Sequence, residues 1–158
     1  MRRVAAVGAI LVLLSGCGDD EPKRVPTGTQ HRKPTVAEAR DIRATIALLE
    51  GVIARPDAPV VCRLYSSHAR EQETLAYATC ATAVRSDLRR AKPPRLTVGA
   101  IDVSFDPRVR PRKLAASVAV TSSAPGRDPF ELHARLVQER GGWRIDDPVA
   151  RYLARGES

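Results

Sequence analysis

Aromatic residues are scarce in this chain: one Trp, three Tyr and two Phe make up 4% of 158 residues. Single-stranded nucleic-acid surfaces interleave aromatic rings with basic side chains, and no stretch here does so; no nucleic-acid partner is expected. Lysine is scarce as well. Only Lys23, Lys33, Lys92 and Lys113 stand among the 26 basic residues, the other 22 being Arg. Abundant Arg, Ala, Pro and Gly is the mark of GC-rich coding, so the net charge of +8 reads first as a solvated surface. Attraction to an anionic membrane or polyanion is the functional alternative. No apolar run reaches the ~18 to 20 residues of a membrane span. No phosphate-binding glycine loop, nucleophile elbow or metal-binding cluster is present, and nothing calls for a cofactor. What is present, 43% apolar and 28% charged residues, suits a single globular domain. Cysteine is few and odd in number, and three cannot all pair with one another.

The first of these, Cys17, closes the stretch MRRVAAVGAILVLLSGC. Arg2 and Arg3 precede an apolar core, Val4 to Leu14, of signal-peptide length. Leu14-Ser15-Gly16-Cys17 resembles the bacterial lipobox, and a polar shift at Gly18-Asp19-Asp20-Glu21 follows at once. The resemblance implies diacylglyceryl transfer to Cys17, cleavage after Gly16 and acylation of the new amino terminus. Each buried methylene contributes about 0.8 kcal/mol, so two or three acyl chains hold where one does not. The expected organisation is a cleaved signal over residues 1–16, then a lipidated Cys and flexible tether over 17–34. The mature charge falls to +6 as Arg2 and Arg3 leave. The expected location is the outer face of the cell membrane.

Thr35-Val36-Ala37-Glu38 has the form of a capping box. Ile42, Ile46, Leu49 and Ile53, widened by Leu48 and Val52, then recur at helical spacing, which predicts an amphipathic helix from Val36 to Val52 or Ala54. Val60 to Tyr65 predicts a second helix running into the polar segment Ala69 to Ala78, with a buried strand as the alternative. A third helix is expected from Thr79 to Arg90, before Pro93-Pro94. The period then changes to two: Ile101, Val103, Phe105; Leu114 to Val120; Phe130 to Leu136; Trp143 and Ile145 after Gly141-Gly142. Four strands on short loops read as an antiparallel meander, and helices followed by strands make an α+β domain. The expected domain spans 35–148, ahead of a polar carboxy-terminal tail over 149–158.

This pattern resembles the nuclear transport factor 2-like superfamily, the cone-shaped fold that includes ketosteroid isomerase. The likeness rests on the opening helix, on Val61-Cys62-Arg63-Leu64, on Cys80-Ala81-Thr82-Ala83-Val84 and on the closing Gly141-Gly142-Trp143-Arg144-Ile145. It implies a curved four-stranded antiparallel sheet packed on the amino-terminal helices. Exported actinobacterial members look similar, pair a Cys of the second helix with one opening the third, and are commonly lipoproteins. Cys62 and Cys80, 18 residues apart, are accordingly expected to form a structural disulfide in an oxidising compartment, a redox or metal-binding thiol pair being the alternative.

Family enzymes carry an acid, base or Tyr inside the cone, and no such set transfers here residue by residue. The pocket candidates are Tyr65 and Tyr77 near the helical pair, Asp102 between Ile101 and Val103, and His133 between Glu131 and Arg135. Each has a bland alternative as a core or solvent-facing residue. The expected function is a lipid-anchored, non-catalytic extracytoplasmic domain that binds a small apolar ligand or an envelope protein. The alternatives are an isomerase-, dehydratase- or hydrolase-like enzyme, and an accessory subunit of an envelope lipid transporter.

Overall fold

The computed structural model describes residues 28–89, 92–105 and 113–155. The expected export signal, Cys17, most of the expected tether and the expected turn at Asp106-Pro107 lie outside them.

Short polar side chains start each of the first four helices. Thr35 caps α1 (Val36–Ala54): its Oγ1 accepts from the Glu38 amide at 3.2 Å, and Glu38 Oε2 accepts from the Thr35 amide at 2.8 Å. This reciprocal capping satisfies two amides that the helix itself leaves orphaned. Asp57 caps α2 (Ala58–Leu64), Ser66 caps α3 (Ser67–Thr74) and Thr79 caps α4 (Cys80–Leu88). The predicted stripe Ile42, Ile46, Leu49 and Ile53 is buried, whereas Leu48 is 58% exposed. Val60 to Leu64 is helical, and the polar run after it forms a separate helix because Ser66 recaps the chain.

The sheet has five strands, one more than expected, in the order β1 (Gln30–Arg32), β2 (Arg95–Phe105), β3 (Leu114–Ser123), β4 (Phe130–Glu139) and β5 (Gly142–Ile145), all antiparallel. The extra strand comes from the end of the expected tether. Gln30 and Arg32 register with Phe105 and Val103, and Arg32 forks onto Glu38 at 2.6 and 2.7 Å. That pairing, first through the Arg32 hydrogen bonds, holds the Glu38 carboxyl down at about 2. The linker therefore joins the domain at residue 30, clamped to the start of α1. At Ala119, β2 opposes two residues, Gly99 and Ala100, to one, a bulge between Val98 and Ile101. Gly141, with φ of 90°, makes the tight β4–β5 turn, a left-handed conformation that favours glycine.

The carboxy-terminal segment is not a polar tail. Residues Val149–Arg155 form α5, with Val149, Ala150 and Leu153 buried. Helices cover one face of the sheet, where Val103, Ala116, Val118, Val120, Leu136 and Ile145 meet Ile42, Ile46, Val84 and Trp143 in one apolar cluster. The other face carries Asp102, Ser117, His133 and Arg135 to solvent. Cys62 and Cys80 form a disulfide that ties α2 to the first residue of α4. Among the described residues no helix is long and apolar enough to cross a membrane.

Candidate functional site

The four sequence-nominated pocket residues do not converge. Tyr65 is fully buried at the end of α2, where its hydroxyl oxygen accepts from the Ala150 amide at 3.0 Å. Burial pushes the phenol far above its ordinary range, and the charges of Glu73 and Asp87 add to this. Tyr77 is half-buried in the turn after α3. Asp102 and His133 stand on the solvent face: Asp102 pairs with His31 Nδ1 at 2.8 Å, and His133 lies 3.5 Å from Glu131. The sheet separates both from the two tyrosines.

Tyr65 is a core tyrosine whose polar tip anchors α5. Tyr65→Phe removes the acceptor and leaves the Ala150 amide buried without it, an expected loss of about 1–3 kcal/mol. Denaturant melts at neutral pH check this; a loss below a few tenths would show that the amide finds another partner.

Between the sheet and helices, a cavity of about 10 Å³ lies among Ile46, Leu49, Val120, Leu132, Val149 and Leu153. That is at the lower limit for one water, and its walls are apolar. The predicted concave side is thus filled there, chiefly because α5 folds back onto it.

Tyr65 belongs to a buried polar cluster that sequence reasoning missed. Glu73 of α3 is wholly buried; Arg151 Nη2 donates to its Oε2 at 3.1 Å. Glu73 Oε1 has no hydrogen-bond partner among the described residues. Arg151 Nε also lies 3.9 Å from Asp87 Oδ2 on α4. Two carboxyl groups thus face one guanidinium. Burial raises the proton affinity of Glu73, Arg151 opposes that rise, and Asp87 adds to it. The cluster joins α3, α4 and α5.

An open cleft of about 790 Å³ lies where β2, β3 and β4 meet α3 near the start of β1. Several of its polar groups engage one another or the adjoining Ser66. Ser66 Oγ donates to Asp146 Oδ1 at 2.6 Å while accepting from the Ala69 amide at 3.0 Å. Arg135 Nε is 3.4 Å from Asp146 Oδ2, and Ser67 donates through its amide and hydroxyl to Glu139. A serine nucleophile needs an oxygen that a substrate can reach as well as a base. Ser66 is buried, and its oxygen is held between the Asp146 carboxylate and the Ala69 amide as a helix cap. His68, Lys113 and Arg140 line the rim, giving the cleft a mixed charge suited to polar contacts. Among the described residues no group of three or more His, Cys, Asp or Glu is placed to hold a metal ion.

No family model, curated protein or solved structure matches the chain.

Proposed function

We propose that this protein is a lipid-anchored extracytoplasmic binding module with a nuclear transport factor 2-like cone, which engages an envelope protein partner. The lipobox-like Leu14 to Cys17, the helices-then-meander order and the Cys62–Cys80 disulfide support the exported reading. The observation that favours a protein partner over a buried apolar ligand is the packed interior: the space beneath the sheet holds a cavity of about 10 Å³, against the few hundred Å³ of a typical ligand pocket. An enzymatic role gains no support from Tyr65, Tyr77, Asp102 and His133, which stand on opposite sides of the sheet.

The anchor is tested by replacing Cys17 with Ser in the producing bacterium. The native chain is expected in the membrane fraction, heavier than its sequence by the mass of its acyl groups. The variant is expected to lose that added mass and to change fraction. Unchanged membrane association and unchanged mass in the variant overturn the reading.

A further inference from the structure

The end of the domain farthest from β1 carries a basic rim around apolar clefts. With 19 residues, α1 is about 28 Å long. Its start is clamped to β1, so its last turn lies at the opposite end from where the amino-terminal segment joins. The start of β2 lies there too, because β1 pairs with the far end of that 11-residue strand.

Two clefts meet at the α1 terminus. One, of about 360 Å³, lies between Pro56 and the end of α4, with buried Ala58 and Leu88 as its floor and Arg85 and Arg89 beside it. The other, of about 560 Å³, runs between α1 and Pro93-Pro94, with Leu48, Val52 and Arg55 in its wall. Arg55 and Pro56 are consecutive, so the clefts adjoin.

Arg55, Arg85 and Arg89 are exposed and make no ion pair among the described residues. The nearby carboxylates have other duties. Glu50 accepts from the Leu96 amide at 3.0 Å and lies 3.5 Å from Arg95; Asp57 caps α2; Asp87 faces Arg151 in the buried cluster. Like charges one helical turn apart, as at Arg85 and Arg89, are mildly destabilising. The negative end of α4 offsets some of that, yet it gives no reason for an exposed Leu48 and a proline wall alongside.

We propose that this end docks an extended acidic polypeptide segment of the envelope partner, its carboxylates on Arg55, Arg85 and Arg89 and its apolar side chains in the two clefts. The occupant is a polypeptide because apolar walls suit side chains and not a phosphate chain. A bilayer is the poorer fit, because two recessed clefts suit separate side chains rather than a flat lipid surface. The proposal rests on the exported, anchored reading for the partner's location; the binding itself needs no anchor.

The test uses the full chain in detergent and a fluorescein-labelled peptide alternating Glu and Leu, followed by anisotropy. The native chain is expected to bind the peptide, more weakly as salt rises. Arg85→Glu with Arg89→Glu is expected to weaken binding about tenfold or more, and Leu48→Asp to weaken it at all salts. Arg43→Glu with Arg70→Glu, exposed elsewhere, is expected to change it little. Circular dichroism confirms that each variant is folded.

Absence of peptide binding by the native chain, or equal loss in the control pair, overturns the proposal. So does displacement of the peptide by polyphosphate or by phosphatidylglycerol vesicles in preference to unlabelled peptide. The Cys17→Ser variant is expected to bind like the native chain. Its mass and fractionation report on the anchor separately, so either idea can fail without the other.

Discussion

Replacing Arg151 with Ala is expected to lower the stability of the fold by about 3–5 kcal/mol at neutral pH, the cost of stranding a buried charge. The stranded charge is Glu73, wholly buried on α3, with one carboxylate oxygen already unpartnered and Arg151 its ion-pair partner at 3.1 Å. Asp87 adds a second negative group facing the same guanidinium. The loss is expected to depend on pH in a particular sense. Burial raises the proton affinity of Glu73 in the fold, so between the unfolded and folded values the folded chain binds more protons. Stability therefore falls as pH rises through that window. Arg151 holds the folded value down, so its removal widens the window and steepens the fall toward neutral pH. Glu38 has the opposite sign. Its folded value is depressed to about 2, so its contribution is complete above the ordinary carboxyl range and is lost as pH drops toward 2. Denaturant melts of the native chain, Arg151→Ala and Glu73→Gln between acidic and neutral pH separate these effects. Glu73→Gln is expected to flatten the upper window and to shrink the further cost of Arg151→Ala. A cost for Arg151→Ala that is small and independent of pH would remove the cluster as a latch for α5.

How much of this could be seen beforehand follows the range of the interactions. The α1 boundaries were legible because Thr35 and Glu38 lie three residues apart and announce themselves locally. Four strands were legible because one face of each meets an apolar layer, leaving a period of two. β1 was not: Gln30-His31-Arg32 has no apolar face, and its pairing is decided by the free edge of β2 some 70 residues away. α5 was read as a polar tail because seven residues make barely two helical turns, too short a stretch to show a period, although Val149, Ala150 and Leu153 all reach the core. Glu73 follows from that omission. In Ser-His-Ala-Arg-Glu-Gln-Glu-Thr nothing marks one acid as buried, and it becomes so only when α5 brings Arg151 over it. Of the pocket candidates, Tyr65 lies buried at the end of α2, where it serves as a core anchor. Asp102 and His133 followed the alternation of their strands to solvent, as the blander reading of each had it.

The disulfide ties the chemistry of the fold to its expected location. Replacing Cys62 and Cys80 together with Ala is expected to cost roughly 3 kcal/mol, the chain-entropy value for a loop of this length, and roughly 10 °C in melting temperature for a domain of this size. The two residues are 18 apart and join α2 to the start of α4. The loop they close is composed of short pieces: α2 has seven residues and α3 has eight. Helices of that length do not stand alone in water, so the bridge acts on elements with little stability of their own. The same loop carries Glu73, and loosening it also loosens the surroundings of Arg151. The two perturbations are therefore expected to combine non-additively, with Arg151→Ala costing less in the cysteine-free chain because part of the cluster is already released. A reductant is expected to lower the melting temperature of the native chain by about as much as the double replacement, within roughly a few degrees, and to leave the double variant unchanged. Thiol titration of protein collected from the exported fraction supplies the independent reading. Full protection of Cys62 and Cys80 until the chain is unfolded and reduced is expected. Two titratable thiols in the folded, exported protein would remove the bridge and, with it, the argument that the short helices depend on an oxidising compartment.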